Sequence, residues 1–309
     1  MLLGLVSKRT ALALACAAMA GAGSAQERGT LEPKPLPQLA HPEDPATPAK
    51  ELFGRQAEAA PLAARTIGFY SRGCLAGGRA LPVNGPAWAV MRLSRNRNWG
   101  HPALIAFLER FARRVPSVSH WPGILVGDLS QPRGGPMLTG HASHQIGLDA
   151  DIWLTPMPNR ELSRYEREEM SAVNVVRADR LDVDPAKWTP DHLAVVKAAA
   201  QAPEVQRIFV NAAIKKAICR EAGGDRSWLT KVRPYYGHDY HFHVRLVCPE
   251  GEDACRDQDP VPPGEGCDGS LAYWFSDRVL HPKPAPIRPR PPLTMAQMPA
   301  ECRSVLLAK

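Results

Sequence analysis

The stretch GHASHQIGLDADIWL, residues 140–154, brings two histidines and two aspartates together within eleven residues. Its second half alternates apolar and polar residues, which predicts a strand with one face in the core. Asp149 and Asp151 then share the other face. His141 and His144 precede the strand in a loop rich in Gly and Ser. The pattern therefore predicts carboxylates and imidazoles gathered at the start of one strand.

A second stretch, GHDYHFHVR at residues 237–245, contains three more histidines. Residues two apart in a strand point to the same face. His241 and His243 therefore share one face of a predicted strand, while the apolar residues between them enter the core. His238 precedes this strand in the loop.

The two strands, if they are neighbours, bring His144, Asp151 and His243 together. Two imidazole nitrogens and one carboxylate oxygen form an open zinc site, with a fourth position left for water. Asp149 is an alternative ligand to Asp151, but we favour a role in which it supports a ligand by hydrogen bonding.

The pattern His-x6-Asp followed by a distant His-x-His resembles the zinc metallopeptidases grouped with lysostaphin, the D-Ala-D-Ala carboxypeptidases and hedgehog. The surrounding segments are similar, more specifically, to the penicillin-insensitive murein endopeptidase family. The resemblance covers most of residues 65–270 and extends to the six cysteines that follow residue 25. The segments that carry it are GCLAG at 73–77, NWGHP at 98–102, GHASHQ at 140–145, DADIW at 149–153 and GHDYHFHVR at 237–245.

The resemblance implies zinc as cofactor and a site assembled from both stretches. The implied ligands are His144, Asp151 and His243, with His141 as a further candidate and with His238 and His241 close to the metal. The implied activity is hydrolysis of the D-alanyl–meso-diaminopimelyl cross-link in peptidoglycan.

Amide hydrolysis needs an activated water and a proton carrier. Zinc lowers the pKa of bound water towards ~7 and polarises the carbonyl. We expect His241 to act as the general base, because it shares the face of His243 without having to bind the metal. His238 then stabilises the oxyanion or orients His241. No serine nucleophile is required, so a β-lactam has nothing to acylate.

Two other functions are compatible with the same residues. One is a D,D- or L,D-carboxypeptidase with the same zinc site. The other is a cell-wall binding protein with a structural metal, in which His241 or His141 supplies the fourth ligand that such sites need.

Residues 1–25 have the features of a secretory signal peptide: Lys8 and Arg9, a short apolar run, and Gly-Ser-Ala before the expected cleavage after Ala25. Cys16 offers lipidation as an alternative, but the apolar run before it is only about six residues long. We therefore predict export to the periplasm.

Export makes the six remaining cysteines candidates for disulfides, although six cysteines allow about 15 pairings. Cys248 and Cys255 are seven residues apart and form the easiest bridge. A bridge between Cys74 and Cys302 would fasten both ends, which leaves Cys219 with Cys267.

The sequence predicts one α+β domain at residues 51–280, with a central antiparallel sheet that carries the zinc site between helices and long disulfide-tied loops. Pro-rich segments flank the domain: residues 26–50 and a tail, 281–309, fastened by Cys302. The predicted helices are 102–114, 162–176, 190–202 and 212–221, and the predicted strands are 124–129, 146–154, 207–210 and 241–247.

Charge narrows the class of partner. Removal of the signal peptide lowers the formal net charge from +7 to +5. We find no run of Lys and Arg interleaved with aromatic residues, which argues against nucleic acid. A mildly basic chain is as compatible with an acidic cell-wall polymer, and the resemblance implies cross-linked peptidoglycan peptides as the partner. We expect no stable membrane insertion, and the sequence is compatible with a homodimer.

Several residues have both a functional and an ordinary structural interpretation, and we favour the structural one. Arg133 is a substrate-carboxylate ligand or a solvated loop residue. The run DRLDVD, residues 179–184, is a second cation site or a polar loop with turn and capping roles. Three tryptophans line a sugar groove or pack in the core: Trp99, Trp121 and Trp153.

Overall fold

The computed structural model describes residues 28–283 and 291–309, so the predicted signal peptide lies outside the described residues. The strands are β1 (Arg65–Phe69), β2 (Arg72–Ala76), β3 (Arg79–Ala80), β4 (Asn84–Gly85), β5 (Trp88–Val90), β6 (Trp99–Gly100), β7 (Ile124–Val126), β8 (Asp149–Pro156), β9 (Val205–Val210), β10 (Val232–Pro234) and β11 (His241–Leu246). The helices are α1 (Ala49–Phe53), α2 (Pro102–Val118), α3 (Arg164–Glu169), α4 (Pro190–Ala200), α5 (Ala212–Glu221), α6 (Gly269–Ala272), α7 (Asp277–Leu280) and α8 (Glu301–Leu307). Four 3-10 helices lie at Leu93–Arg95, Ser227–Lys231, Tyr273–Phe275 and Met295–Gln297.

A seven-stranded mixed sheet forms the centre of the fold, in the order β10-β9-β11-β8-β7-β5-β4. The four middle strands, β9, β11, β8 and β7, pair with one another in antiparallel orientation. On either side of these four strands the pairing is parallel, between β10 and β9 and between β5 and β7. The predicted α+β class is confirmed, and the antiparallel pairing holds for the strands that carry the site.

The predicted alternation in β8 and β11 is confirmed. Ala150, Ile152 and Leu154 lie in the main core, as do Phe242 and Val244. The opposite face of the two strands carries the polar residues. Because β11 pairs with β8 in antiparallel register, that face consists of three cross-strand pairs: His241 with Trp153, His243 with Asp151, and Arg245 with Asp149.

Helices α2, α4 and α5 begin where the sequence predicts. His101 accepts a hydrogen bond from the backbone of Ala103 ahead of Pro102, and Thr189 caps α4 ahead of Pro190. Their apolar faces pack against the sheet in one core cluster. Because this cluster covers one face of the sheet, the polar face of β8 and β11 is left for the site.

The predicted helix over residues 162–176 is wrong in length, because α3 covers only Arg164–Glu169. The guanidinium of Arg92 donates to the carbonyls of Arg167, Glu168 and Met170 at 2.9, 2.7 and 2.6 Å. Those carbonyls are thereby satisfied by a side chain from a distant loop, and the chain leaves the helix at Met170. A tertiary contact overrides the local periodicity here.

Three disulfides confirm the predicted pairing: Cys74–Cys302, Cys219–Cys267 and Cys248–Cys255. The first joins β2 to α8, whose Cys302 and Val305 are buried in a second core cluster with Phe53 and Ile67. The C-terminal segment therefore ends in a packed helix. None of the helices in the described residues is both long and apolar enough to span a membrane.

Lys215 in α5 is fully buried, and its ammonium group donates to the carbonyls of Leu229 and Glu265 at 3.0 and 2.6 Å. Burial, reinforced by the charge of Arg233, lowers the pKa of Lys215 to about 7. Between pH 7 and the ordinary lysine pKa near 10.5, the unfolded chain therefore binds more protons at this residue than the folded chain.

We therefore predict that the folded protein gains stability through Lys215 as the pH rises from 7 to 9.5. The gain should be about 1–3 kcal/mol relative to Lys215→Met, measured by urea unfolding at both pH values. Lys216→Met is the matched control, because Lys216 is exposed; its pH dependence should follow that of the wild type. Identical pH dependence in the wild type and Lys215→Met would contradict the prediction.

Candidate metal centre

The carboxylate of Asp151 lies at the centre of a cluster of four imidazoles. Its Oδ1 is 3.1 Å from His243 Nδ1 and 3.5 Å from His144 Nε2. Its Oδ2 is 3.5 Å from His141 Nδ1 and 3.6 Å from His241 Nε2. The structure thus joins the two histidine-rich stretches around one carboxylate.

Strand pairing and loop conformation together place these side chains. His243 lies directly opposite Asp151 in the register of β8 and β11. His144 is fully buried and has a left-handed backbone, with φ of 67°. Its backbone N–H donates to Asp149 Oδ2 at 3.0 Å. Left-handed backbone in a non-glycine residue costs on the order of 1 kcal/mol, and at functional sites the surroundings commonly maintain it.

Asp149 contacts the cluster through His243 and is itself held by Arg245. Arg245 donates through Nε and Nη2 to its two carboxylate oxygens at 2.8 and 3.0 Å, and His243 Nε2 lies 3.1 Å from Oδ1. The guanidinium of Arg245 lies over the ring of Tyr70, 4.1 Å from its centroid. Both oxygens of Asp149 are thus engaged by protein groups, and its role in supporting a metal ligand stays a prediction.

The ionisable groups of the cluster affect one another's pKa values. Burial alone would raise the pKa of Asp151, but its interactions with the imidazoles of His241, His144 and His141 outweigh burial and hold it well below its usual range. Burial lowers the pKa of His241, with partial compensation by Asp151. Asp151 is therefore a carboxylate at neutral pH and His241 a neutral imidazole, which are the protonation states that metal binding and proton acceptance require.

The unpaired polar atoms of the cluster match the donors that a metal ion needs. Both ring nitrogens of His144, Nδ1 of His241 and Oδ1 of Asp151 are buried without a hydrogen-bond partner. Such atoms cost free energy unless an unseen group pairs with them. Ligand atoms around tetrahedral zinc, at ~2.0–2.1 Å from the ion, are about 3.3 Å apart. The distances of 3.1 and 3.5 Å from Asp151 Oδ1 to His243 and His144 are of this size.

Two ligand sets share His144 and Asp151. One set consists of His141, His144 and Asp151, whose donor atoms all lie within 4.8 Å of one another. The predicted set has His243 in place of His141. His141 also has a second partner, since its Nε2 lies 2.9 Å from Asp128 Oδ2. The residues present fit a metal ion of the zinc type in either arrangement.

Asp128 is a member of the site that our sequence analysis missed. It is buried and also accepts from Arg97 and Arg95 at 2.8 and 3.0 Å. Burial would raise its pKa, but His141 and the two arginines hold the pKa far below its usual range. Its position just after the buried strand β7 was the signal that could have identified it.

His238 and His241 line the open side of the centre. They border a groove of about 470 Å³, which Tyr236, Tyr240 and Arg95 also line. His238 has a left-handed backbone with φ of 55°, and its Nδ1 donates to the carbonyl of Tyr236 at 2.7 Å. Its ring centroid is 4.8 Å from that of His241. The two predicted catalytic histidines are therefore neighbours at the groove.

The residues for which we favoured structural roles lie outside the metal cluster. Arg133 is not a solvated loop residue, because it donates to the last carbonyls of α8, at Val305, Leu306 and Ala308. The carboxylates of the 179–184 loop bind nearby backbone N–H groups or the side chain of Arg220. Trp121 is buried, and Trp153 is buried while it also contributes to the groove. Trp99 is half-buried, and its Nε1 donates to Asn96.

We predict that Asp149→Asn destabilises the metal-free protein by about 3–5 kcal/mol, because it leaves the buried charge of Arg245 without its partner. Urea unfolding in the presence of a chelator measures this loss. Asp179→Asn, in an exposed turn, is the matched control and should cost less than about 1 kcal/mol. A loss of stability for Asp149→Asn as small as that for Asp179→Asn would contradict a stabilising contact between Asp149 and Arg245.

Comparison with known proteins gives a consistent result. The sequence profile of the penicillin-insensitive murein endopeptidase family matches residues 66–307. The chain is 44% identical over 245 residues to the penicillin-insensitive murein endopeptidase of Haemophilus influenzae. The aligned region covers 79% of this chain and 82% of that protein. It is 42% identical to the protein of that name from Klebsiella pneumoniae, over 79% and 86% of the two chains. It is also 42% identical to the one from Yersinia enterocolitica, over 78% and 85%.

The match spans the strands, the histidine-rich loops and all six disulfide-bonded cysteines described above. Both the extent of the profile match and the level of identity exceed what a shared fold alone would give. The chain belongs to the penicillin-insensitive murein endopeptidase family.

Proposed function

We propose that the protein is a zinc-dependent endopeptidase that hydrolyses the D-alanyl–meso-diaminopimelyl cross-link of peptidoglycan in the periplasm. The observation that carries the proposal is the cluster of four imidazoles around the buried Asp151, open to a groove on one side. The names of the relatives support the substrate class. The three disulfides agree with an oxidising compartment.

The residues divide into holding and reacting groups. His144, Asp151 and either His243 or His141 would hold the zinc ion. Bound zinc would lower the pKa of a coordinated water and polarise the scissile carbonyl. Asp149 keeps His144 and His243 in position through the contacts described above.

Proton transfer falls to the histidines at the groove. His241 is buried, lines the groove and lies 3.6 Å from Asp151. It is neutral, so it can accept a proton and return it to the leaving amine. His238 donates its Nδ1–H to a carbonyl that can only accept. Its Nε2 then carries a lone pair, which favours orienting His241 over stabilising an oxyanion.

Digestion of purified muropeptides tests the activity. We predict that cross-linked dimers fall to monomers, that a chelator stops the reaction and that zinc restores it, and that penicillin has no effect. Release of free alanine alone would instead indicate a carboxypeptidase. Dimers left intact in the presence of zinc would indicate a binding protein with a structural metal.

Two substitutions separate ligand from base. We predict that His243→Ala loses both zinc and activity, whereas His241→Ala retains zinc and loses activity by about 10²–10⁴-fold. Elemental analysis and a dimer-cleavage assay measure the two properties. His141→Ala is the informative third variant, because retention of zinc there favours His243 as the third ligand. Loss of zinc from His241→Ala would overturn the division of roles.

A further inference from the structure

A second cavity, of about 710 Å³, lies beside the catalytic groove. The two share one residue, Arg95, which lines both. The second cavity is also lined by Leu36, Leu39, Arg55, Ala57 and Gln131. The groove and the cavity therefore meet at Arg95, and a ligand that fills one is adjacent to the other.

The N-terminal segment builds one wall of this cavity. It is attached close to Arg95, because the backbone N–H of Thr30 donates to Ser94 Oγ at 3.1 Å and that of Gly29 to the carbonyl of Glu168 at 3.1 Å. Further along, Leu39 packs against the second core cluster. The lining residues from Leu36 to Ala57 all precede residue 66, where the family profile begins. This wall thus lies outside the residues that the family profile matches.

Charge and polarity indicate the class of ligand. Two arginines line the cavity, and among the described residues that line it none is acidic. Arg55 is held by Glu51 only at 3.4 Å, and its Nε is buried without a hydrogen-bond partner. An arginine fork with an unused donor matches a carboxylate. The apolar surface of Leu36 and Leu39 beside it suits a peptide better than an inorganic anion.

Arg95 links this cavity to the reaction centre through short contacts. Its Nη1 is 3.0 Å from Asp128 Oδ2, which is 2.9 Å from His141 Nε2. His141 in turn contacts Asp151. The 3-10 helix that carries Arg95 is flanked by two non-glycine residues with left-handed backbone, Arg92 and Asn96. The backbone that carries Arg95 is therefore constrained. The chain of contacts from Arg95 to Asp151 is short enough to be spanned by a few residues of extended peptide, at ~3.3 Å per residue.

We propose that the second cavity is an accessory subsite that binds a carboxylate-bearing stem peptide of the cross-linked substrate while the scissile bond lies in the groove. This inference rests on the proposed function for the identity of its ligand. Diaminopimelate and glutamate residues keep free carboxylates in the stem peptides, so the ligand chemistry agrees with the unpaired Nε of Arg55. The subsite would favour substrates with a full stem over minimal peptides that contain only the scissile bond.

Ala57 offers a test with a matched pair. It is exposed at the cavity, away from the metal cluster, and its side chain is a single methyl group. Ala57→Glu and Ala57→Gln add nearly the same volume and differ in charge. The probe is the stem tetrapeptide L-alanyl-D-glutamyl-meso-diaminopimelyl-D-alanine, titrated calorimetrically into metal-free protein. We expect the Kd for Ala57→Glu to exceed that for Ala57→Gln by about tenfold, and the difference to shrink at high salt.

Arg55→Gln should weaken tetrapeptide binding in the same assay, with Arg114→Gln, on the exposed face of α2, as its control. Equal Kd values for the Glu and Gln variants, or no effect of Arg55→Gln, would overturn the subsite. A folded state matching the wild type by circular dichroism is required of each variant. This binding assay involves no catalysis, so its outcome is independent of whether the enzyme cleaves the cross-link.

Cleavage kinetics then connect the subsite to the reaction. For the cross-linked tetrapeptide dimer we expect Ala57→Glu to raise KM about tenfold over Ala57→Gln with kcat unchanged. For N-acetyl-D-alanyl-meso-diaminopimelate the two variants should be alike. An equal effect on both substrates would place the cavity outside substrate recognition. Failure of the wild type to cleave either substrate, with the binding difference intact, would count against the proposed function alone.

Discussion

The antiparallel register between β8 and β11 is the constraint on which the site depends. It sets His243 against Asp151 and Arg245 against Asp149 on one face, while the apolar residues of both strands fill the core on the other. A slip of one residue would move the polar set into the core and the apolar set to the groove. The same hydrophobic burial that stabilises the sheet therefore fixes the register that assembles the cluster.

Charge burial is the cost of this arrangement. Asp128, Asp149 and Asp151 are all buried, and each has its pKa held below the usual range by neighbouring arginine or histidine side chains that outweigh desolvation. Well-packed apolar residues would often be as stable in such positions. The left-handed backbone of His144 and His238 adds further cost. Costs concentrated at one groove are typical of a site retained for chemistry rather than for folding.

Much of the fold and part of the site could be predicted from the sequence, because alternation in residues 146–154 and 241–247 reports directly on which side chains share a face. Other features depend on contacts between distant segments. Asp128 belongs to the site because the side chain of His141 contacts its carboxylate. Helix α3 ends where the guanidinium of Arg92 donates hydrogen bonds to its carbonyls. Arg133 was misinterpreted for the same reason, since its partners in α8 lie more than 170 residues away. Local patterns carry no information about such partners.

The most direct test of the metal centre is a crystal structure of the zinc-loaded protein with anomalous diffraction recorded on both sides of the zinc absorption edge. We expect one strong anomalous peak in contact with Asp151 and His144, with His243 or His141 as the third protein ligand and one position open to the groove. A peak closed by four protein ligands would contradict a catalytic site. No peak at Asp151 would contradict the existence of the centre itself.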